Sequence, residues 1–539
     1  MASWRGSIAL SLGLVCLARG QQSVLTAHYD VARTGANVYE TTLTPANVLL
    51  GNFGQLAQLP VSGCVVAQPL YVAGVSLGDS GPHNIVYVAT TANNLYAFDA
   101  DTFTLYYQVN LGTPMPSADV DPNAGYFDFP NCDGVDGLGP IGVVGTPVID
   151  DVEGALYVVA NILDTHGYHH ILHKLDLTNG ADLVPAVEIA GASGGATYDP
   201  RYQLQRTALL LVNGSIYVAF SSHNDEAPYR GWLFAYDTSL NLLQAYTYSP
   251  QKSGAGIWQS GGGPAFDGTY IYVATGNNDE GVVGPDDCAD SVLQIDPVTL
   301  QVVAKTSFPA EANDWDYNAD LDLGSARVIP VPGTTFAVAG SKFGDMFVVD
   351  RRDMSLLNRF QGAARHAAGF DWTGIYNGFA YWNGVIYLWP GGGGFTSDDT
   401  LPYPTDVLKA FQLAGDSSVL AVATGQSDGV GLGYQGAGVV ISANGNDPAS
   451  GIVWALTPGG NGHWLRPGHL RAYSAADFST GTFKLLWTDD DPSSQDPGYA
   501  WAKFSQPLVA NGRVYVPTYS GSVIVYGLLT RGDSSARRR

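Results

Sequence analysis

One phrase returns along the whole chain: an apolar run, a Gly turn, a strand of the type "IYVAT", and a further strand ending in Asp. "VYVATTANNLYAFDADT", "IYVATGNNDEG…SVLQIDPVT" and "FAVAGSKFGDMFVVDRRD" are copies of it, and eight begin near Gln68, Gly145, Thr207, Gly263, Ser325, Gly378, Gly438 and Gln506. Each copy supplies about three or four strands of period-2 alternation between Gly, Asp and Asn turns, with no convincing amphipathic helix. One such unit cannot cover both of its faces, whereas units stacked radially bury both and leave only short edges. The expected fold is therefore all-β, a single eight-bladed propeller spanning residues 21–529. The last copy lacks an outer strand, and "FGQLAQLPVSG", upstream of the first copy, is placed to supply it and close the ring.

The composition narrows the partners. A formal charge of −24 and a pI near 4.5 exclude the basic surface that nucleic acid or an anionic membrane would attract. Residues 1–20 combine Arg5, an apolar run from Ile8 to Leu17, and small residues at Ala18 and Gly20, the pattern of a cleaved signal peptide. That run is too short for a membrane span, which takes roughly 20 residues. Secretion, or residence in a secretory lumen, follows as the expectation. Cys16 leaves with the signal, so Cys64, Cys132 and Cys288 remain, and an oxidising compartment implies one disulfide, assigned to Cys64–Cys132. The sequon at Asn213 agrees with this route as a glycosylation site. Residues 530–539 read as a disordered basic tail.

The phrases "YVATGN", "AGSKFGDMFVVDR" and "NDWDY" resemble those of the PQQ-dependent quinoprotein alcohol dehydrogenases, which are eight-bladed propellers. Phrases such as "LTPANV", "GTPVID" and "GIWQSGGGPA" are most similar to secreted bacterial and fungal PQQ-like propellers, most of which have no assigned activity. The resemblance in repeat pattern covers nearly the whole mature chain and implies a set of site residues. Glu226 in "EAPYRG" and Asn277 in "ATGN" match calcium ligands, and Trp258 in "GIWQSGGG" matches a wall of the quinone slot. Asp316 in "NDWDY" matches the general base beside the metal and is counted among its ligands, and Lys342 in "GSKFG" matches the contact to the quinone oxygens. The chemistry requires such groups: calcium takes hard oxygen donors, a cation steadies charge on the quinone oxygen, and a carboxylate accepts the alcohol proton. Within the same acidic segment, Asp320 and Asp322 are expected to hold turns.

The chain also departs from the family. It has no adjacent Cys pair to cover the second quinone face, and no "CxxCH" for a fused haem, so oxidation would need an external electron acceptor. Three functions follow. The first is oxidation of a small alcohol in a central funnel with PQQ and calcium. The second is a cofactor-independent cyclase of fungal secondary metabolism, of the intermolecular hetero-Diels–Alderase type, in which aromatic walls orient two partners. The third is a non-catalytic binding propeller. The histidines of "HGYHHILHK" fall in one repeat copy, where alternation sends neighbours to opposite faces, against a metal site.

Overall fold

The computed structural model describes residues 22–78, 81–120, 132, 139–223, 225–277, 287–308, 322–363, 374–391, 406–413, 425–427, 435–459, 466–477, 481–491 and 498–530. The signal segment, Asp316 and nearly all of the tail lie outside them.

Among the described residues the chain forms eight blades, six of four strands, one of five and one of six, antiparallel except for one added strand in blade 7, together with two two-stranded ribbons. The blades are numbered 1 to 8 in chain order, and each begins within a few residues of a repeat start. In blade 1, strands Leu70–Ser76, Pro82–Ala89, Asn94–Asp99 and Leu105–Asn110 lie side by side, and only the last is largely exposed. The first strand of each blade is thus innermost and the fourth outermost. Blade 8 departs from this order as the sequence predicts. Its three C-terminal strands, ending with Ser522–Leu528, take Phe53–Pro60 as the outer strand, from Phe53 opposite Leu528 to Pro60 opposite Ser522.

Packing closes the ring. Eight apolar clusters lie between successive blades, from Leu70, Val158 and Leu156 between blades 1 and 2 round to Tyr71, Val88 and Val525 between blades 8 and 1. The Asp that ends the third strand of many copies has a structural role. Asp99 Oδ1 accepts the N–H groups of Asp101 and Thr102 (2.9 and 2.7 Å), and Asp296 Oδ1 those of Val298 and Thr299 (2.9 and 2.7 Å). These Asx-type bonds stabilise the outer turn and explain why the residue recurs.

The sequence reading left residues 22–40 without a place. They form a strap along the axis that hydrogen-bonds to every blade. Backbone bonds join Val24 to Tyr71, Leu25 O to Ile149, Val31 O to Phe266, Thr34 O to Tyr381 and Gly35 O to Ile441, in blades 1, 2, 4, 6 and 7. Side chains complete the circuit: Arg33 Nη2 donates to Leu209 O of blade 3 (2.9 Å), Arg327 of blade 5 donates to the His28 ring (2.8 Å to Nε2), and Asn37 Nδ2 donates to Val509 O of blade 8 (2.9 Å). Ala36–Asn37 adds a parallel strand inside blade 7. Arg33 is fully buried, and its remaining donors go to Pro264 O (3.1 Å), Thr26 Oγ1 (2.6 Å) and Ala27 O (2.9 Å). Burial lowers its pKa to about 10 and that of Arg327 to about 9. Burial, and then the charge of Arg327, holds His28 well below its usual value, so it stays neutral.

The cysteines and the histidine run are placed as follows. Cys64 and Cys132 are joined by a disulfide with their Cα atoms 5.2 Å apart, and Cys288 is a buried thiol. The histidine run divides between faces: His170 is buried against Tyr198, whereas His169 lies between Asp164 (3.1 Å) and Glu188 (2.8 Å).

Candidate functional site

Strand direction sorts the loops. In an antiparallel four-stranded blade, the connection between the second and third strands leaves from the same end as the connection to the next blade. Glu226 follows the second strand of blade 3 (Ser215–Ser222), Asn277 that of blade 4 (Ile271–Ala274) and Lys342 that of blade 5 (Phe336–Gly340). Trp258 lies between blades 3 and 4. All four therefore occupy one face, on three consecutive blades. Asp316, between Val302–Ser307 and Val328–Pro330, lies outside the described residues, so its position relative to the others is not part of the geometry below. Asn213 is exposed in the turn between Leu210–Val212 and Ser215–Ser222, at the opposite end of the propeller.

A continuous run of contacts links Lys342 to Trp258. Lys342 Nζ is 3.0 Å from Asp322 Oδ1, both side chains are buried, and Lys342 N donates to Asp322 O (3.0 Å). Asp322 is thus more than the turn-holder expected of it, because its carboxylate anchors the candidate cation. Asp322 Oδ2 lies against Gly276, where a Cβ would run into it. Gly276 N donates to Gly256 O (2.8 Å), and Gly256 packs beside Trp258 Nε1 and the Tyr229 ring. Tyr229 OH donates to Asn277 Oδ1 (3.3 Å), and Asn277 O accepts from Ala255 N (2.8 Å). Glu226, half-buried three residues before Tyr229, is held by a bond from its N–H to His223 O (3.0 Å). We expect Gly276→Ala to displace Asp322 and with it Lys342, lowering stability by about 1–3 kcal/mol as overpacking does; urea unfolding of the two proteins measures it.

Trp258 also lines a small cleft, partly open to solvent. Val66 enters from between blades 8 and 1, Leu204 and Arg206 from between blades 2 and 3, and Lys503 and Phe504 from between blades 7 and 8, with Tyr519 from a loop of blade 8. Only at the axis can loops of blades so far apart round the ring meet. The backbone that presents these groups is held in uncommon conformations: Gln259 (φ 47°), Ser260 (φ 44°) and Phe504 (φ 57°) are left-handed. Gln259 N donates to Gly324 O (2.8 Å) and Ser260 Oγ to Tyr376 O, which fix the turn after Trp258. Strain of this kind persists where the surroundings over-determine it, and it clusters at functional sites. Beneath the cleft, Trp258 packs on a cluster containing Cys64, Cys132, Met115 and Val144, so the disulfide supports its wall. Arg206, Lys503 and Phe504 escaped the sequence reading because no motif marks them; the scarcity of cations, 25 against 49 acids, was the one available signal.

The donor types suit the groups that the resemblance implies. Calcium favours carboxylate and amide oxygens, and Glu226 and Asn277 offer one of each on neighbouring blades. A flat conjugated acid favours an indole face and cations, and the cleft has Trp258 with Arg206 and Lys503.

The same architecture is present in solved proteins. The fold is that of the PQQ quinoprotein alcohol and methanol dehydrogenases. A quinohemoprotein alcohol dehydrogenase of Comamonas testosteroni superposes with a TM-score of 0.61 at 16% identity, covering 94% of this chain and 80% of that one. Another, from Pseudomonas putida HK5, gives 0.60 at 14% over the same shares, and a europium-containing methanol dehydrogenase gives 0.58 at 15%, covering 94% and 98%. At these identities the likeness concerns the fold. No family model matches the sequence, and no curated protein matches it.

Proposed function

We propose that the protein is an enzyme acting on a small organic molecule in the axial cleft, by quinoprotein-type oxidation of an alcohol. The observation that carries this reading is the position of Trp258: the residue matched to a quinone wall lines a cleft at the propeller axis, beside the network that holds Asn277 and Lys342. When bound, PQQ would accept a hydride and calcium would polarise the quinone carbonyl. Trp258 would supply a rigid face, Glu226 and Asn277 the oxygen donors, and Asp322 would orient Lys342. Asp316 is the proposed base for the alcohol proton. The disulfide and the exposed sequon at Asn213 support a secretory setting, and the lack of a "CxxCH" motif leaves the electrons to an external acceptor.

Native mass spectrometry with metal analysis tests this on protein purified with PQQ and calcium. We expect one quinone and calcium per chain and dye reduction that needs both, with Trp258→Ala reducing turnover at least about a hundredfold, the scale of losing one preorganising group. The reading fails if reconstitution yields neither bound quinone nor turnover. The second reading, cofactor-independent cyclisation, is favoured by the aromatic and aliphatic lining of Val66, Leu204, Phe504 and Tyr519. It predicts that Trp258→Ala abolishes activity while Glu226→Gln and Asp316→Asn preserve it.

A further inference from the structure

We infer that Ser260 is a positioning residue, whose hydroxyl closes a circuit of hydrogen bonds that fixes Trp258 relative to Lys342; its bearing on function rests on the reading of those two as site residues. Four loop segments on the functional face form the circuit, taken in order round the ring. Residues 258–260 lie between blades 3 and 4, and residues 322–324 between blades 4 and 5. Residues 341–342 follow the second strand of blade 5, and residues 375–376 lie between blades 5 and 6.

Each segment is bonded to the next. Gln259 N donates to Gly324 O (2.8 Å), Lys342 N to Asp322 O (3.0 Å) and Ile375 N to Ser341 O (2.9 Å). Ser260 Oγ donates to Tyr376 O and so returns to the first segment. Three of these links join backbone to backbone and do not depend on a side chain; the closing one does. The pair between Lys342 Nζ and Asp322 Oδ1 (3.0 Å) ties the lysine ammonium to the same circuit. Gly374 presses the last segment against it, since a Cβ there would lie 2.3 Å from Lys342 O.

The local sequence fits this role. In "QSGGG", three glycines follow directly, yet the left-handed positions at Gln259 (φ 47°) and Ser260 (φ 44°) are not glycine. Glycine would adopt that backbone without steric cost. Serine accepts the strain and in return supplies a hydroxyl, in a side chain only 4% exposed, to a carbonyl of another loop. A buried bond of this kind is costly to leave unmade, because water does not replace the missing donor.

Hydrogen–deuterium exchange on the full-length protein reads the circuit without any ligand. Ser260→Ala is expected to speed exchange of the Gln259, Lys342 and Ile375 amides together, each by about tenfold, the weight of one buried hydrogen bond. The strand Trp232–Asp237 is expected to keep its rates. Lys342 is the diagnostic position, because a whole segment separates it from Ser260 in either direction, so a local defect would leave it unchanged. Ser260→Gly suits the left-handed backbone but lacks the hydroxyl; it is expected to match Ser260→Ala, and it decides the matter should that variant fail to fold. A change confined to Gln259, or wild-type exchange in Ser260→Gly, overturns the inference. Equilibrium dialysis with PQQ and calcium then reads the consequence, expected as about tenfold weaker PQQ binding in both variants. Unchanged affinity in a variant whose circuit has opened also overturns it, since the circuit would then not position the site. Should the wild type bind no PQQ, the quinoprotein reading falls, and exchange alone decides whether Ser260 fixes Trp258 against Lys342.

Discussion

Replacing Arg33 with Met is expected to lower stability by on the order of 5 kcal/mol, with Arg33→Lys nearly as damaging. The side chain is fully buried, and its donors reach Pro264 O, Thr26 Oγ1, Ala27 O and Leu209 O, binding the strap to two blades. Removing the guanidinium leaves those acceptors buried without it, at about 1–3 kcal/mol each before relaxation. Lysine restores charge but not the planar fork that serves four acceptors in different directions. One effect runs the other way: burial already pushes the pKa of Arg33 down to about 10, so its loss relieves some desolvation. The hydrogen bonds outweigh that relief, because each acceptor is a backbone or hydroxyl oxygen that water cannot reach. Urea midpoints for wild type, Arg33→Met and Arg33→Lys measure the outcome. A loss under about 1 kcal/mol for the Met variant would mean that the strap is held by its backbone bonds alone.

The second large effect is expected from the disulfide. Cys64 and Cys132 are 68 residues apart in sequence, and the chain-entropy account assigns a loop of that length roughly 4 kcal/mol. Cys64 also exchanges backbone and side-chain bonds with Thr91: its N–H donates to Thr91 Oγ1 (3.0 Å), and its carbonyl accepts from Thr91 N (3.0 Å). Because the bridge packs in the cluster that supports Trp258, breaking it is expected to loosen the cleft as well as the fold. The double variant Cys64→Ser, Cys132→Ser should therefore lose ligand affinity along with about 4 kcal/mol of stability. Parallel unfolding and dialysis measurements check both; unchanged affinity in a destabilised variant would separate the bridge from the cleft.

The blades were legible because each must repeat the same burial pattern, so Ile271–Ala274 and Phe336–Gly340 announce themselves in sequence. The closing strand was legible for the opposite reason, as a gap in the final copy that Phe53–Pro60 fits. The strap was not, because its bonds run from single residues to eight different strands and leave no periodicity. His28, Arg33 and Asn37 look like ordinary loop residues until the axis they fill is visible. The site was legible where motifs carry it. Trp258, Asn277 and Lys342 come from three separate motifs and lie on one face of the ring, whereas Asp322 was read as a turn residue because carboxylates that hold turns and carboxylates that hold cations look alike in a run of aspartates. Arg206 and Lys503 meet across loops almost 300 residues apart, a proximity created by ring closure.

The placement of the first sixty residues has a consequence for how the chain is made. Leu59 and its neighbours pair with Val523 and the strand around it, and the segment near Arg33 needs all eight innermost strands before its bonds can be satisfied. During synthesis Phe53–Pro60 must therefore wait for the strand Ser522–Leu528 before it can pair. A nascent chain that stalls before residue 522 would expose both an unpaired sheet edge and a buried cation with nowhere to go.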